Sequence, residues 1–139
     1  MNLQLYFPKS TGELYPFFTI PVSAGTPQEI EQVVEWIDLD DYVRRGTEAT
    51  YYLRVNGDSM EADVFSGDLL VVERTVNAQT GDIVIAEING EFTVKRLKHE
   101  RPFLYLVPAN PSYKPRKIKR KDNFAIWGVV THIIRKVKK

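Results

Sequence analysis

Two residues in this chain have the types and the setting for a hydrolytic pair: Ser59, inside Gly57-Asp58-Ser59-Met60, and Lys95, closing the strand-like run Phe92-Thr93-Val94-Lys95. A serine hydroxyl is a weak nucleophile until a neighbouring base takes its proton. Lysine can act as that base only when neutral, and an ordinary ammonium with a pKa of ~10.4 is seldom neutral near pH 7. Apolar surroundings change this, because desolvation disfavours the charged form and draws the pKa down by up to several units. A third element lies upstream. Ala24-Gly25 is a small-residue bond in a stretch punctuated by proline and glycine, a bond that such a pair could cut. Small residues let the backbone come close to a serine. Attacker, base and target would then share one polypeptide.

Each piece also has an ordinary reading. Gly-Asp-Ser is common turn chemistry, with Asp and Ser bonding to nearby backbone, and most strand lysines face solvent. Register separates Lys95 from that majority. Asn89-Gly90 between two strand-like runs predicts a two-residue type I′ hairpin. Ile88 then faces Glu91, Ala86 faces Thr93, and Val84 faces Lys95, and directly opposed residues share a sheet face. Lys95 is expected among Val84, Ala86, Thr93 and Leu97, with Ile83, Ile85, Phe92 and Val94 covering the other side. His99 and His132 are the rival bases, but no spacing supplies the acid that would orient an imidazole. No carboxylate pair or His/Asp/Glu cluster suggests a metal, and no cofactor is expected.

The elements that must position the pair read as mostly β. The expected strands are Tyr51–Val55, Leu69–Glu73, Asp82–Ile88, Glu91–Lys98, Phe103–Val107, Arg116–Lys119 and Phe124–Val137, with Gly, Asn and Pro between them. Regular short strands of this kind argue for a sandwich or a strongly bent barrel. Ahead of them, Thr26-Pro27-Gln28-Glu29 has the order of a helix start. Ile30, Val33, Val34 and Ile37 follow at helical spacing, which predicts a short amphipathic helix ending near Asp38. Residues 1–26 carry Pro8, Pro16 and Pro21, which oppose a helix and confine any strand to an edge. They are expected to form a flexible arm, with 27–139 as the domain. Tyr6, Phe7, Tyr15, Phe17 and Phe18 in the arm are candidate docking anchors, since so aromatic an arm is unfavourable when exposed.

The 139 residues suit one domain plus an arm, and a net charge of +1 gives no global pull toward nucleic acid or anionic membrane. The chain has no cysteine, which excludes disulfides, thiolate metal sites and cysteine nucleophiles. No apolar run approaches the ~20 residues that span a bilayer, and Met1–Ser10 lacks the pattern of a secretory signal, so a cytoplasmic location is expected. Residues 114–121 hold six basic side chains in eight. This segment reads either as a nucleic-acid-binding surface of a non-enzymatic β module or as an edge strand guarded by charge. The second reading is preferred, with a protein surface as another possible partner.

Taken together, the motifs resemble the self-cleaving serine–lysine peptidases of the LexA and UmuD type. Val22-Ser23-Ala24-Gly25 is similar to that family's cleavage site, and Gly57-Asp58-Ser59-Met60 to its nucleophile motif. Ser66-Gly67-Asp68-Leu69-Leu70-Val71-Val72, Gly81-Asp82-Ile83-Val84-Ile85-Ala86 and Gly90-Glu91-Phe92-Thr93-Val94-Lys95-Arg96-Leu97 resemble the strands that follow, and Trp127-Gly128-Val129-Val130-Thr131-His132 fits the close. The likeness runs from about residue 15 onward and is nearer to UmuD than to LexA, since what precedes Gly25 cannot hold a helix-turn-helix domain. It implies a bent β-sheet domain with a short N-terminal helix. It also implies Ser59 as nucleophile, Lys95 as general base, backbone N–H groups at Asp58 and Ser59 as oxyanion hole, and Ala24-Gly25 as the bond cut. The partners implied are a second copy in a homodimer, the RecA–ssDNA filament that promotes cleavage, and the catalytic subunit of an error-prone, UmuC-like polymerase.

Overall fold

The computed structural model describes residues 2–6, 13–17, 35–44, 49–57 and 63–138. The chain divides into two compact units, Met1–Pro8 with Thr47–Lys139, and Lys9–Gly46.

The first unit is built on one antiparallel sheet. Its strands are β1 (Asn2–Tyr6), β4 (Thr50–Asn56), β5 (Leu69–Glu73), β6 (Ile83–Ile88), β7 (Glu91–Glu100), β8 (Phe103–Val107), β9 (Arg116–Lys117) and β10 (Phe124–Ile134). They are ordered β1-β4-β5-β10-β6-β7-β8-β9. All seven expected strands are present, β5 and β8 with the expected bounds and β9 shorter than expected. The mostly β class holds, with the eight described strands of this unit hydrogen-bonded into one sheet.

The last strand in sequence is central in space. β10 pairs with β5 on one side and β6 on the other, and its register slips between Ile126 and Gly128 and again between Val130 and His132. Each slip is a β-bulge, which bends the strand and tightens its twist. Glycine at 128 is required by contact: a Cβ there would lie 2.5 Å from Val72 Cγ1.

Both faces of the sheet are covered at β6 and β7. Leu53, Val55, Val64, Leu70, Val72, Ile85 and Val94 form one core, with Trp127 packed against it. Val84, Ala86, Ile88, Leu97, Leu106 and Val129 form the other. Alternate residues of Ile83-Val84-Ile85-Ala86 thus enter opposite cores, so the strand reads as a continuous apolar run rather than an alternating one.

The second unit pairs β2 (Tyr15–Phe17) with β3 (Glu35–Ile37), followed by helix α1 (Leu39–Arg44). Here one expectation is corrected: residues 35–37 are a strand, not the end of a helix, and the rest of that expected helix, 26–34, lies outside the described residues. Trp36 and Ile37 find cross-strand partners in Pro16 and Tyr15. The helix begins after Asp38, whose Oδ1 accepts from the backbone N–H groups of Asp40 at 3.0 Å and Asp41 at 3.3 Å, an N-cap.

Candidate active site

The β6–β7 hairpin delivers Lys95. Asn89 and Gly90 have φ of 51° and 84°, both left-handed, as a type I′ turn demands. The register that follows is the expected one: Ile88 opposite Glu91, Ala86 opposite Thr93, Val84 opposite Lys95. Val84 and Ala86 are fully buried and Leu97 nearly so. The lysine stem therefore lies against apolar surface, and the residue as a whole is half-buried.

Burial lowers the Lys95 pKa from the ordinary lysine value. The ammonium, when present, donates to Thr93 Oγ1 at 2.9 Å and to the Val94 carbonyl at 3.2 Å. It borders a cleft of about 230 Å³ whose walls include Thr93, Phe92, Ile88, Leu106 and Arg116. A partly desolvated amine at the edge of a cleft is what a lysine base requires.

Ser59 and its neighbours Asp58 and Met60 lie outside the described residues, as do Ala24 and Gly25. The nearest described residues on either side are Gly57 and Asp63. β4 ends at Asn56, and Gly57 turns with φ 146°, a backbone that favours glycine. The end of β4 is held by the next turn: Val55 N–H donates to Asp68 O at 2.9 Å, and Gly67 N–H donates to Val55 O at 2.8 Å. Beyond the serine, Val64 is fully buried in the core shared with Val55. Asp63 is ion-paired to Arg96 at 2.7 Å, and Arg96 follows Lys95 in β7. Arg96 also donates to the Gly81 carbonyl. The described residues thus tie the chain just after Ser59 to the strand that carries Lys95.

The two histidines lie on β7 and β10. His99 has an exposed side chain at the far end of β7, and its backbone N–H donates to Thr80 Oγ1 at 2.9 Å. His132 Nδ1 lies 2.9 Å from Thr131 Oγ1, on β10 opposite Val71. Among the described residues no group of three or more His, Cys, Asp or Glu side chains could hold a metal, and no helix is long and apolar enough to cross a membrane.

Two fixing contacts escaped the sequence, Asp63–Arg96 and Asp68–Arg135. Their partners are 33 and 67 residues apart, so no local pattern marks them. Asp68 alone carried a signal, within Ser66-Gly67-Asp68.

Comparison with known proteins identifies the family. A family model described as Peptidase S24-like matches residues 16–131, a span that contains Ser59, Lys95 and every strand from β4 to β9. The chain is 44% identical over 126 residues to protein ImpA of Escherichia coli, covering 88% of this chain and 85% of the relative. It is 42% identical over 120 residues to protein MucA of Escherichia coli, covering 84% and 82%. Against LexA repressor 2 of Pseudomonas syringae pv. tomato it is 45% identical over 87 residues, covering 62% of this chain and 43% of the repressor. With its desolvated strand lysine and a match of this extent, the chain belongs to the peptidase S24-like family of serine peptidases, as a UmuD-type member of the LexA/UmuD group.

Proposed function

We propose that this protein cuts itself once, at Ala24-Gly25, with Ser59 as nucleophile and Lys95 as general base. The observation that carries the reading is Lys95 itself, desolvated on an apolar hairpin and bordering a cleft. Neutral Lys95 takes the Ser59 proton as Oγ bonds to the Ala24 carbonyl carbon. The carbonyl oxygen becomes an oxyanion, held by backbone N–H groups at Asp58 and Ser59, each worth about 3–4 kcal/mol by analogy with other enzymes. The Lys95 ammonium then protonates the departing Gly25 nitrogen, leaving Ala24 esterified to Ser59. Water, losing a proton to Lys95, hydrolyses that ester and frees the serine.

Residues 1–26 are in this reading the arm that supplies the target, its strand β1 paired to β4 at the edge of the sheet, and 27–139 the domain that cuts it. Self-cleavage is slow when the arm seldom occupies the cleft, and a partner that shifts that population speeds it. That partner is the RecA–ssDNA filament. The shortened product, a homodimer in the cytoplasm, serves as accessory subunit to an error-prone, UmuC-like polymerase in SOS translesion synthesis. The family membership and the likeness to ImpA and MucA support this assignment.

The test is intact-mass measurement of purified protein incubated at mildly alkaline pH, with and without RecA filaments. The expected result is loss of residues 1–24, faster with filaments and absent in Ser59→Ala. An unchanged mass in both conditions, or cutting that survives Ser59→Ala, would overturn the proposal.

A further inference from the structure

The β8–β9 edge of the sheet carries a feature that the proposed cleavage chemistry does not explain. β9 is an edge strand, paired to β8 through Tyr105 opposite Lys117 and Leu106 opposite Arg116. Beside it, Arg116, Lys117, Lys119 and Lys121 line a concavity of about 560 Å³ together with Asn89, Pro115 and Asp122. Among the described residues, Asp122 is the one carboxylate in that lining.

The Asp122 charge is largely committed to shaping the loop. Its Oδ2 accepts from the Lys119 backbone N–H at 2.8 Å and its Oδ1 from Asn89 Nδ2 at 3.4 Å, with Arg116 Nη2 at 3.6 Å. Asn89 and Asn123 are bonded in both directions, N–H to O at 2.8 Å and N–H to Oδ1 at 2.9 Å. The basic loop is therefore stapled to the β6–β7 turn and presents its cations on a fixed frame, which lowers the ordering cost of binding.

Charge alone would suit any polyanion. The pairing of β8 with β9 adds an aromatic surface that the basic run 114–121 lacks in sequence. Phe103, 43% exposed, has Lys117 Nζ 3.4 Å from its ring centroid, and Tyr113, 45% exposed, immediately precedes Lys114. Cations interleaved with exposed rings suit a strand whose bases are free to stack, more than an acidic protein surface or a closed duplex.

We propose that the β8–β9 edge is a binding site for single-stranded nucleic acid, with phosphates along Arg116, Lys117, Lys119 and Lys121 and a base stacked at Phe103. Arg116 also borders the Lys95 cleft, so binding is separated from cutting by using Ser59→Ala protein with the arm intact. The probe is a fluorescein-labelled oligothymidylate of about 15 nucleotides, followed by anisotropy across a salt series. Four phosphate contacts predict a log–log salt slope of about −3, at ~0.7 per contact for a single strand. The Lys117→Glu/Lys119→Glu double substitution should weaken binding at least tenfold and flatten the slope by about 1 to 2. Phe103→Ala should weaken it about tenfold with the slope unchanged, the scale of one lost stack, and Phe103→Trp should retain it. Circular dichroism melts establish that each variant is folded. No binding at low salt, or undiminished binding by the folded charge-reversed protein, overturns the site. Equal displacement by polyglutamate would assign the surface to an acidic protein, and equal affinity for duplex would remove the stacking contact; either result overturns the proposal.

Discussion

Arg135 grips Asp68 with two parallel donors, Nε at 2.7 Å from Oδ1 and Nη2 at 2.6 Å from Oδ2. The same carboxylate accepts the Phe65 backbone N–H at 2.8 Å, and the guanidinium lies 4.4 Å over the Phe65 ring. Arg135 Nη2 also reaches the Asp63 carbonyl at 3.4 Å. A residue just past the central strand β10 thereby fastens the turn that follows Ser59, while Arg96 holds Asp63 from β7. The proposed nucleophile precedes this turn in the chain, and these two arginines fix the turn.

This clamp has a pH signature. Burial acts to raise the Asp68 pKa, but the Arg135 hydrogen bonds, the Phe65 N–H and the Arg135 charge outweigh it, and the net shift is downward. A carboxyl with a lowered folded pKa contributes stability above its unfolded value of ~3.9, and that contribution is lost as pH falls through the folded value. Arg135→Ala leaves a buried carboxylate unpaired, so its melting temperature should fall clearly below the parent's at pH 7. The gap should narrow as pH falls through the lowered folded value, where Asp68 takes up its proton in the parent as well. Thermal melts across that range decide it, and a gap independent of pH would assign the clamp no electrostatic role.

Lys95 should trade stability for chemistry. Its folded pKa is lowered by burial, so the unfolded chain binds more protons between that value and ~10.4, and stability rises with pH across the window. Below it the folded protein carries a poorly solvated ammonium. Lys95→Met removes the charge and keeps the stem, so the variant should melt higher than the parent at pH 7 while losing self-cleavage by about 10²-fold or more. The two readouts are a melting curve and an intact-mass time course. A variant that melts lower would mean that the ammonium is well satisfied where it sits.

Thr93 touches the amine of Lys95. Its hydroxyl accepts from Lys95 Nζ at 2.9 Å, which favours the charged form. Thr93→Val keeps the shape and removes the acceptor, so the lysine loses its proton at a lower pH. Unassisted cleavage in the parent should rise with pH and level off above the Lys95 pKa. In Thr93→Val that rise should move toward acid, with the plateau little changed. The rate measured at several pH values tests this, and a profile that does not move would remove Thr93 from the machinery.

Much of this was legible because it is local. The Asn89-Gly90 turn, the register through Val84 and Lys95, and strands such as Leu69–Glu73 follow from turn chemistry and alternation over a few residues. Lys95 could be singled out because one hairpin specifies its neighbours. Glu35–Ile37 was read as helix because Val33, Val34 and Ile37 fit a helical stripe as well as a strand, and the deciding partner, Tyr15–Phe17, is distant in sequence. The Arg135–Asp68 clamp and the Phe103–Lys117 stack were invisible for the same reason: each is made by sheet order rather than by spacing.

Gly128 tests the central bulge. It is buried in β10 just after Trp127, the extra residue of the slip against β6. An added Cβ would lie 2.5 Å from Val72 Cγ1 and 3.3 Å from the Glu73 carbonyl. Val72 is fully buried, and a β-branched side chain has few χ1 positions to retreat to. The carbonyl belongs to the backbone of β5 and cannot move alone. Gly128→Ala should therefore cost about 1–3 kcal/mol by overpacking, on the order of 5–10 °C in melting temperature. Val72→Ala removes the Cγ1 that clashes and leaves a cavity of its own. If contact is the cause, combining the two should cost less than the sum of the singles by about 0.5–3 kcal/mol. Strict additivity in that cycle would mean that glycine is needed at 128 for its backbone, not for the space beside Val72.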